Sequence, residues 1–312
     1  MSSPSQHNEQ LAMIEANLAF VHVIYAASTV QIWDVVIHFA EDVELLSLPG
    51  RYRAPTVAYF LSRYFFLVSH FLLLTAFNTP ECRPSLELAV AIFSFMATVL
   101  TLFQFFLRVR VIYCEDSRLK MGLFTILWVL ASLGTSFTLV STTAGPGKTS
   151  ICIIPPIDFT YVVPVIAILG YDSCVFLAIS YQIYKLSWQL VWIKSQASTG
   201  VEWGHMDGML GSTCGYSFRA QASALLGRDL PFLTRAILYD GQIYYLISVA
   251  SGVATLVLLL NTSISGAYRL LLVPVHLVLV NIMTGYVFRE TEDLVVTFTN
   301  LDEGRGSRPI AT

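Results

Sequence analysis

The chain has 312 residues, 55% of them hydrophobic and 12% charged, with a formal net charge of -3. A soluble globular domain carries about 25% charged residues, so this composition excludes an ordinary soluble fold. The net charge itself says little, because membrane orientation depends on where the cations lie.

The hydrophobicity is gathered into seven apolar stretches, at residues 17–40, 56–77, 86–107, 121–142, 161–183, 242–260 and 270–288, each 19 to 24 residues long. A helix needs roughly 20 mostly apolar residues to cross the hydrocarbon core. These segments are apolar on nearly all faces, whereas buried helices of a soluble protein show amphipathic stripes. The expectation is an all-α bundle of seven transmembrane helices over residues 1–290. A cytosolic loop at about 184–241 and a short cytosolic tail at 291–312 complete the domain plan. The lipid bilayer is the expected environment, in the plasma membrane or another membrane of the secretory pathway. No nucleic-acid partner is expected.

The opening MSSPSQHNEQ has no basic n-region, so it reads as a short tail and not as a cleavable signal peptide. With the N-terminus outside, the three outer loops hold Arg83, Lys148 and Arg269, one cation each. The inner segments hold 14, among them Arg51, Arg53, Arg108, Arg110, Lys185 and Arg289. Basic loops stay cytosolic, which predicts an outer N-terminus and an inner C-terminus.

Along the chain, the first span carries Asp34 and, four residues on, His38, near its inner end; the second carries Arg63 near its inner start. At 1.5 Å per residue Asp34 and Arg63 both lie about 10 Å into the membrane. An ionisable group there costs several kcal/mol unless paired. Equal depth on antiparallel neighbours predicts an Asp34–Arg63 ion pair, which His38 can join from the same helix face. The alternative is that Arg63 snorkels to the interface alone. A pair would act as a structural clamp.

Cys82, just before the third span, and Cys152, between the fourth and fifth, both fall outside, where disulfides form. They are a candidate bridge; two unrelated thiols are the alternative. Cys114, Cys174 and Cys214 are cytosolic or intramembrane. Asp172, mid-span after the helix-kinking Pro164, and His70 and His276 are candidate cavity-facing polar residues. The glycines Gly134, Gly170 and Gly252 are expected at close helix contacts. His276 has Val280 four residues on, so the H-x-x-x-H of a seven-span zinc hydrolase is missing. No nucleophile–base or metal cluster is evident, and neither enzymatic activity nor a cofactor is expected. Asn261-Thr262-Ser263 is a glycosylation sequon on the outer side, too near the membrane for efficient use. The loop at 184–241 has a Gly/Ser-rich middle between interfacial flanks. It reads as helix extensions around a solvated hinge or as a docking surface for a cytosolic signalling partner.

Seven spans with an outer N-terminus and two outer cysteines resemble a G-protein-coupled receptor. The third span ends FFLRVRVIY without an acidic-Arg-Tyr triplet, and the seventh reads VNIMTGYVF without N-P-x-x-Y. The seventh span has no lysine, which excludes a retinal Schiff base. More closely, IYAASTVQIWDVVIHFAEDVELL followed by YFLSRY, with LRVRVIY, LYDGQIYYL and VFRE, resembles a family of uncharacterised basidiomycete membrane proteins with an N-terminal domain of unknown function. Asp34, Glu41, Glu44, Arg63, Tyr64, Arg108, Asp240, Gly241 and Arg289 carry the match, which spans about residues 25–290 in separate blocks. The chain departs from that family in Trp33, where Tyr is usual, and in Ser62, where Asn is usual. The resemblance implies a fungal, receptor-like seven-helix protein and brings no ligand, reaction or cofactor. The functional expectation is a receptor-like sensor. A small-molecule or ion transporter is the alternative, weakened by the absence of a three-helix duplication.

Overall fold

Lipid offers no partner for a backbone N–H or C=O, so a spanning segment must satisfy its own, and a helix does so. The computed structural model describes residues 4–47, 54–79, 83–113, 118–144, 159–197, 230–264 and 266–306. Among these residues all regular structure is helical. In chain order the helices are α1 (Pro4–Ile37), α2 (Phe39–Ser47), α3 (Ala54–Asn78), α4 (Pro84–Ile112) and α5 (Arg118–Ala144). Then come α6 (Phe159–Ala197), α7 (Leu230–Leu260), α8 (Gly266–Arg269) and α9 (Leu272–Gly306). Seven of them, α1, α3, α4, α5, α6, α7 and α9, are long and apolar enough to cross a membrane. The chain is an all-helical, multi-pass integral membrane protein.

Several helices outrun the spans expected from hydropathy. The expected loop at 184–241 is helical at both flanks, because α6 continues to Ala197 and α7 begins at Leu230. Likewise α9 continues to Gly306, well into the segment expected as a tail. Hydropathy marks contact with hydrocarbon, and a hydrogen-bond ladder has no reason to stop at that boundary. The first span departs in the other direction: α1 ends at Ile37 within the expected 17–40, and α2 resumes at Phe39. His38 Nδ1 lies 2.9 Å from the Asp34 carbonyl and competes with its own amide for that acceptor, whose ladder bond is 3.3 Å. The ladder picks up again at once, with the Asp42 amide donating to the His38 carbonyl at 2.9 Å.

The outer surface is apolar and much of the interior polar, as a bundle in lipid requires. Trp33, Phe71 and Leu119 are 65%, 68% and 82% exposed, whereas Gln31 and Thr255 are fully buried. The spans pack as a ring in which α1 touches α3, then each helix meets the next through α4, α5, α6, α7 and α9, and α9 returns to α1. The third span, α4, also reaches across to α6 and α9. Its Leu102, Phe105 and Val109 pack with Tyr171 and Val175 of α6 in the main apolar cluster. A smaller cluster of Leu45, Tyr59 and Phe288 ties α2 to α3 and α9.

Close crossings depend on particular glycines. A Cβ on Gly134 would stand 2.5 Å from the Ala167 Cβ, so α5 and α6 meet there only because the side chain is absent. A Cβ on Gly252 would meet Leu169 at 2.9 Å and the His276 ring at 3.2 Å. Gly170 does not fit the expectation: a Cβ there would meet nothing within 4 Å, because its helix position faces away from neighbours. Gly285, not singled out by the sequence, makes room for the Tyr59 ring, 3.2 Å from its missing Cβ.

Candidate functional site

Asp34, His38 and Asp42 stand at successive four-residue steps along α1 and α2, and so share one helix face. That face meets Arg63 of α3, whose Nη2 donates to Asp34 Oδ2 at 2.5 Å and whose Nη1 donates to Asp42 Oδ2 at 2.9 Å. The expected Asp34–Arg63 contact is therefore present in the structure, but as part of a larger assembly. His38 Nδ1 is 3.2 Å from Asp34 Oδ1. Arg289, at the far end of the seventh span, brings a second guanidinium, 3.9 Å from Asp34 Oδ1 and 3.6 Å from Glu41 Oε2. Arg63, Asp34, Asp42 and Arg289 are between 5% and 8% exposed, while the Glu41 side chain, at 63%, stands at the rim.

The hub is a neutral group. The Tyr59 hydroxyl donates to Asp42 Oδ1 at 2.8 Å, accepts from Arg289 Nη1 at 2.8 Å and accepts from Arg63 Nη1. A phenol has one proton and two lone pairs, so its full capacity is used. Its ring stacks on Phe288 with centroids 4.6 Å apart, and the Arg63 guanidinium lies over the same ring. Two buried cations face two buried carboxylates, which is the condition for keeping ions out of water. This network draws together α1, α2, α3 and α9 at one end of the bundle. Arg108 of α4 sits at the same end, donating to the Tyr245 hydroxyl at 3.2 Å and to the Thr284 carbonyl at 2.9 Å. Among the described residues no three His, Cys, Asp or Glu side chains group as metal ligands would.

Sequence reading picked out Asp34, His38 and Arg63 but not Asp42, Tyr59 or Arg289 as members of one site. The four-residue spacing from Asp34 to His38 to Asp42, and from Tyr59 to Arg63, was the available signal. Nothing local signals Arg289, which arrives from the other end of the chain.

The remaining candidates are dispersed. Asp172 is 2% exposed in α6, with Oδ2 accepting from Ser248 Oγ at 3.3 Å and Oδ1 without a partner among the described residues. His70 Nδ1 is 3.0 Å from the Phe66 carbonyl, and its Nε2 has no partner among the described residues. His276 Nδ1 is 2.9 Å from Ser251 Oγ, a hydroxyl–imidazole contact that the sequence did not reveal. Ser251 Oγ also lies 2.8 Å from the Ser248 carbonyl one turn back, the usual intrahelical bond of a serine in a helix. Asn261 follows the last residue of α7, and its Oδ1 accepts from the Ser263 amide at 3.1 Å. Cys82 and Cys152, and the central part of the expected docking loop at 198–229, lie outside the described residues. The chain matches no protein-family model, no curated protein and no solved structure.

Proposed function

We propose that this protein is a receptor-like signalling protein, with its N-terminus outside and its C-terminus in the cytosol, of the basidiomycete type that its sequence blocks resemble. The supporting observation is the placement of the charge network. It joins the first, second and seventh spans at the end of the bundle where the basic loops cluster. Signalling across a bilayer needs a packed element with two discrete arrangements. A set of buried ions that is satisfied only when four helices meet is such an element, since parting them strands charge. The long segment at 184–241 is the contact surface for a cytosolic partner in this reading. The ligand class is left open. A guanine-nucleotide exchange assay with purified protein and fungal heterotrimeric G proteins tests the proposal. Accelerated exchange, raised further by Arg289→Gln, is the expected result. No acceleration by either protein overturns it.

A transporter is the second reading, and Asp172 favours it. An intramembrane carboxyl with an unpartnered oxygen is a common marker of an ion or proton pathway. Uptake of labelled small solutes into vesicles containing the protein, without nucleotide exchange, would select this reading.

A further inference from the structure

We propose that α1 carries a self-association seam, at the end of the bundle away from the charge network, where it pairs in parallel with α1 of a second copy of this chain. The pairing depends on neither functional reading. Leu11, Ile14, Leu18, Val21 and Tyr25 recur at alternating steps of three and four. Those are the a and d positions of two heptads, which lay an apolar seam along one side of a helix. All five belong to the one helix α1. Leu11, Ile14 and Leu18 are between 51% and 64% exposed, so the protomer leaves most of each side chain uncovered. Ala16, on the opposite side of the helix, is buried. Its own bundle therefore holds one side of α1, and the seam points away. The seam ends where the bundle takes over. The Tyr25 hydroxyl accepts from Asn78 Nδ2 at 2.8 Å, and Ser28, the next d position, is buried.

Exposed apolar side chains are ordinary where a helix meets lipid, so depth decides. Phe20 of α1 meets Phe77 of α3 with ring centroids 6.5 Å apart, which sets the two residues level. α3 ends one residue later, at Asn78. Its 25 residues already run about 37 Å, against a hydrocarbon core of roughly 30 Å. Leu18, Ile14 and Leu11 stand about 3, 9 and 14 Å beyond that level, at the headgroups and past them. An upright apolar stripe there has no hydrocarbon to face. The heptad spacing identifies its cover as another helix. A second copy, upright in the same membrane and at the same height, presents the matching seam in parallel register. Both helices are already formed and oriented, so little ordering is needed on pairing, and two heptads suffice.

Leu at a with Ile and Val at d favours more than two strands in a free coiled coil. Here one flank of the seam is occupied by the protomer itself. Ile24, at a g position, is buried in its own bundle, and Asn17, at the preceding g, is half-buried. Glu15 and His22, at the e positions, are exposed. A third or fourth helix needs both flanks, so the seam accepts one partner.

Energy transfer between donor- and acceptor-labelled full-length copies in lipid vesicles, together with light scattering in detergent, tests the pairing. Labels at residue 5 should show transfer that survives dilution with excess lipid, and the scattering mass should be that of two chains. Ile14→Glu with Leu18→Glu puts charge on the seam and should abolish both signals while the single copy still unfolds cooperatively. If that variant does not insert, Ile14→Ala with Leu18→Ala should weaken pairing by at least about tenfold. Phe20→Ala, on the bundle side, should leave pairing unchanged. A parent of single-chain mass, whose transfer falls to the random level on dilution, would overturn the second copy. Transfer unchanged in the seam variants, or lost equally in Phe20→Ala, would overturn the seam. A mass above two chains would overturn the single partner.

Discussion

The Tyr59 hydroxyl and the Arg289 guanidinium, 230 residues apart in sequence, stand 2.8 Å from each other in the buried charge network. That bond closes the network between the second and seventh spans. Gly285 on α9 leaves room for it, since a Cβ there would stand 3.2 Å from the Tyr59 ring.

Tyr59→Phe removes one hydroxyl and leaves the ring, its stacking on Phe288 and every charge in place. Asp42 and both arginines each lose a partner at once. Leaving a buried polar group unsatisfied costs about 1–3 kcal/mol, so the melting temperature in detergent should fall. An unchanged melting temperature would show that water replaces the hydroxyl and that it is no hub.

Arg63→Gln takes the nearest guanidinium from Asp34 and Asp42 together, leaving them Arg289, His38 and the Tyr59 hydroxyl, and breaking a buried pair from one side costs about 3–5 kcal/mol. Adding Asp34→Asn should recover part of the loss, and adding Asp42→Asn more, because Arg63 touches both. Thermal denaturation of the single, double and triple variants reads this coupling. Strictly additive losses would count against the contacts.

Gly134→Ala and Gly170→Ala form a matched pair. The first places a methyl 2.5 Å from Ala167, while the second meets nothing within 4 Å. Overpacking costs about 1–3 kcal/mol, so the first should lower stability and the second should not. Equal behaviour of the two would contradict the α5–α6 crossing.

A bridge between Cys82 and Cys152 would close a loop of about 70 residues, worth on the order of 4 kcal/mol in the chain-entropy model. Cys82→Ser and Cys152→Ser should then destabilise equally and not additively. Peptide mapping that finds Cys82 alkylated after denaturation without reductant would sink the bridge.

Protease-sensitive tags report orientation. One placed at residue 5 should be cleaved from outside and one after Thr312 from the cytosol, as the basic asymmetry predicts. Both tags on one side would mean that the number of crossings is not seven.

The sequence alone determined that this chain crosses the membrane, because length and hydropathy report directly on the free energy of each segment in lipid. It also determined that Asp34 and Arg63 lie at one depth, since depth is residue count multiplied by a constant rise. Rotation about each helix axis is different, because in lipid an apolar segment has no amphipathic stripe to declare its inner face. Which residues of α9 turn towards α3, and so that Arg289 reaches Tyr59, was decided by packing. So was the difference between Gly134 at a crossing and Gly170 in open space. Tertiary structure also separated the two kinds of intramembrane aspartate, because an unpaired carboxyl and a paired one differ only in what neighbouring helices place beside them.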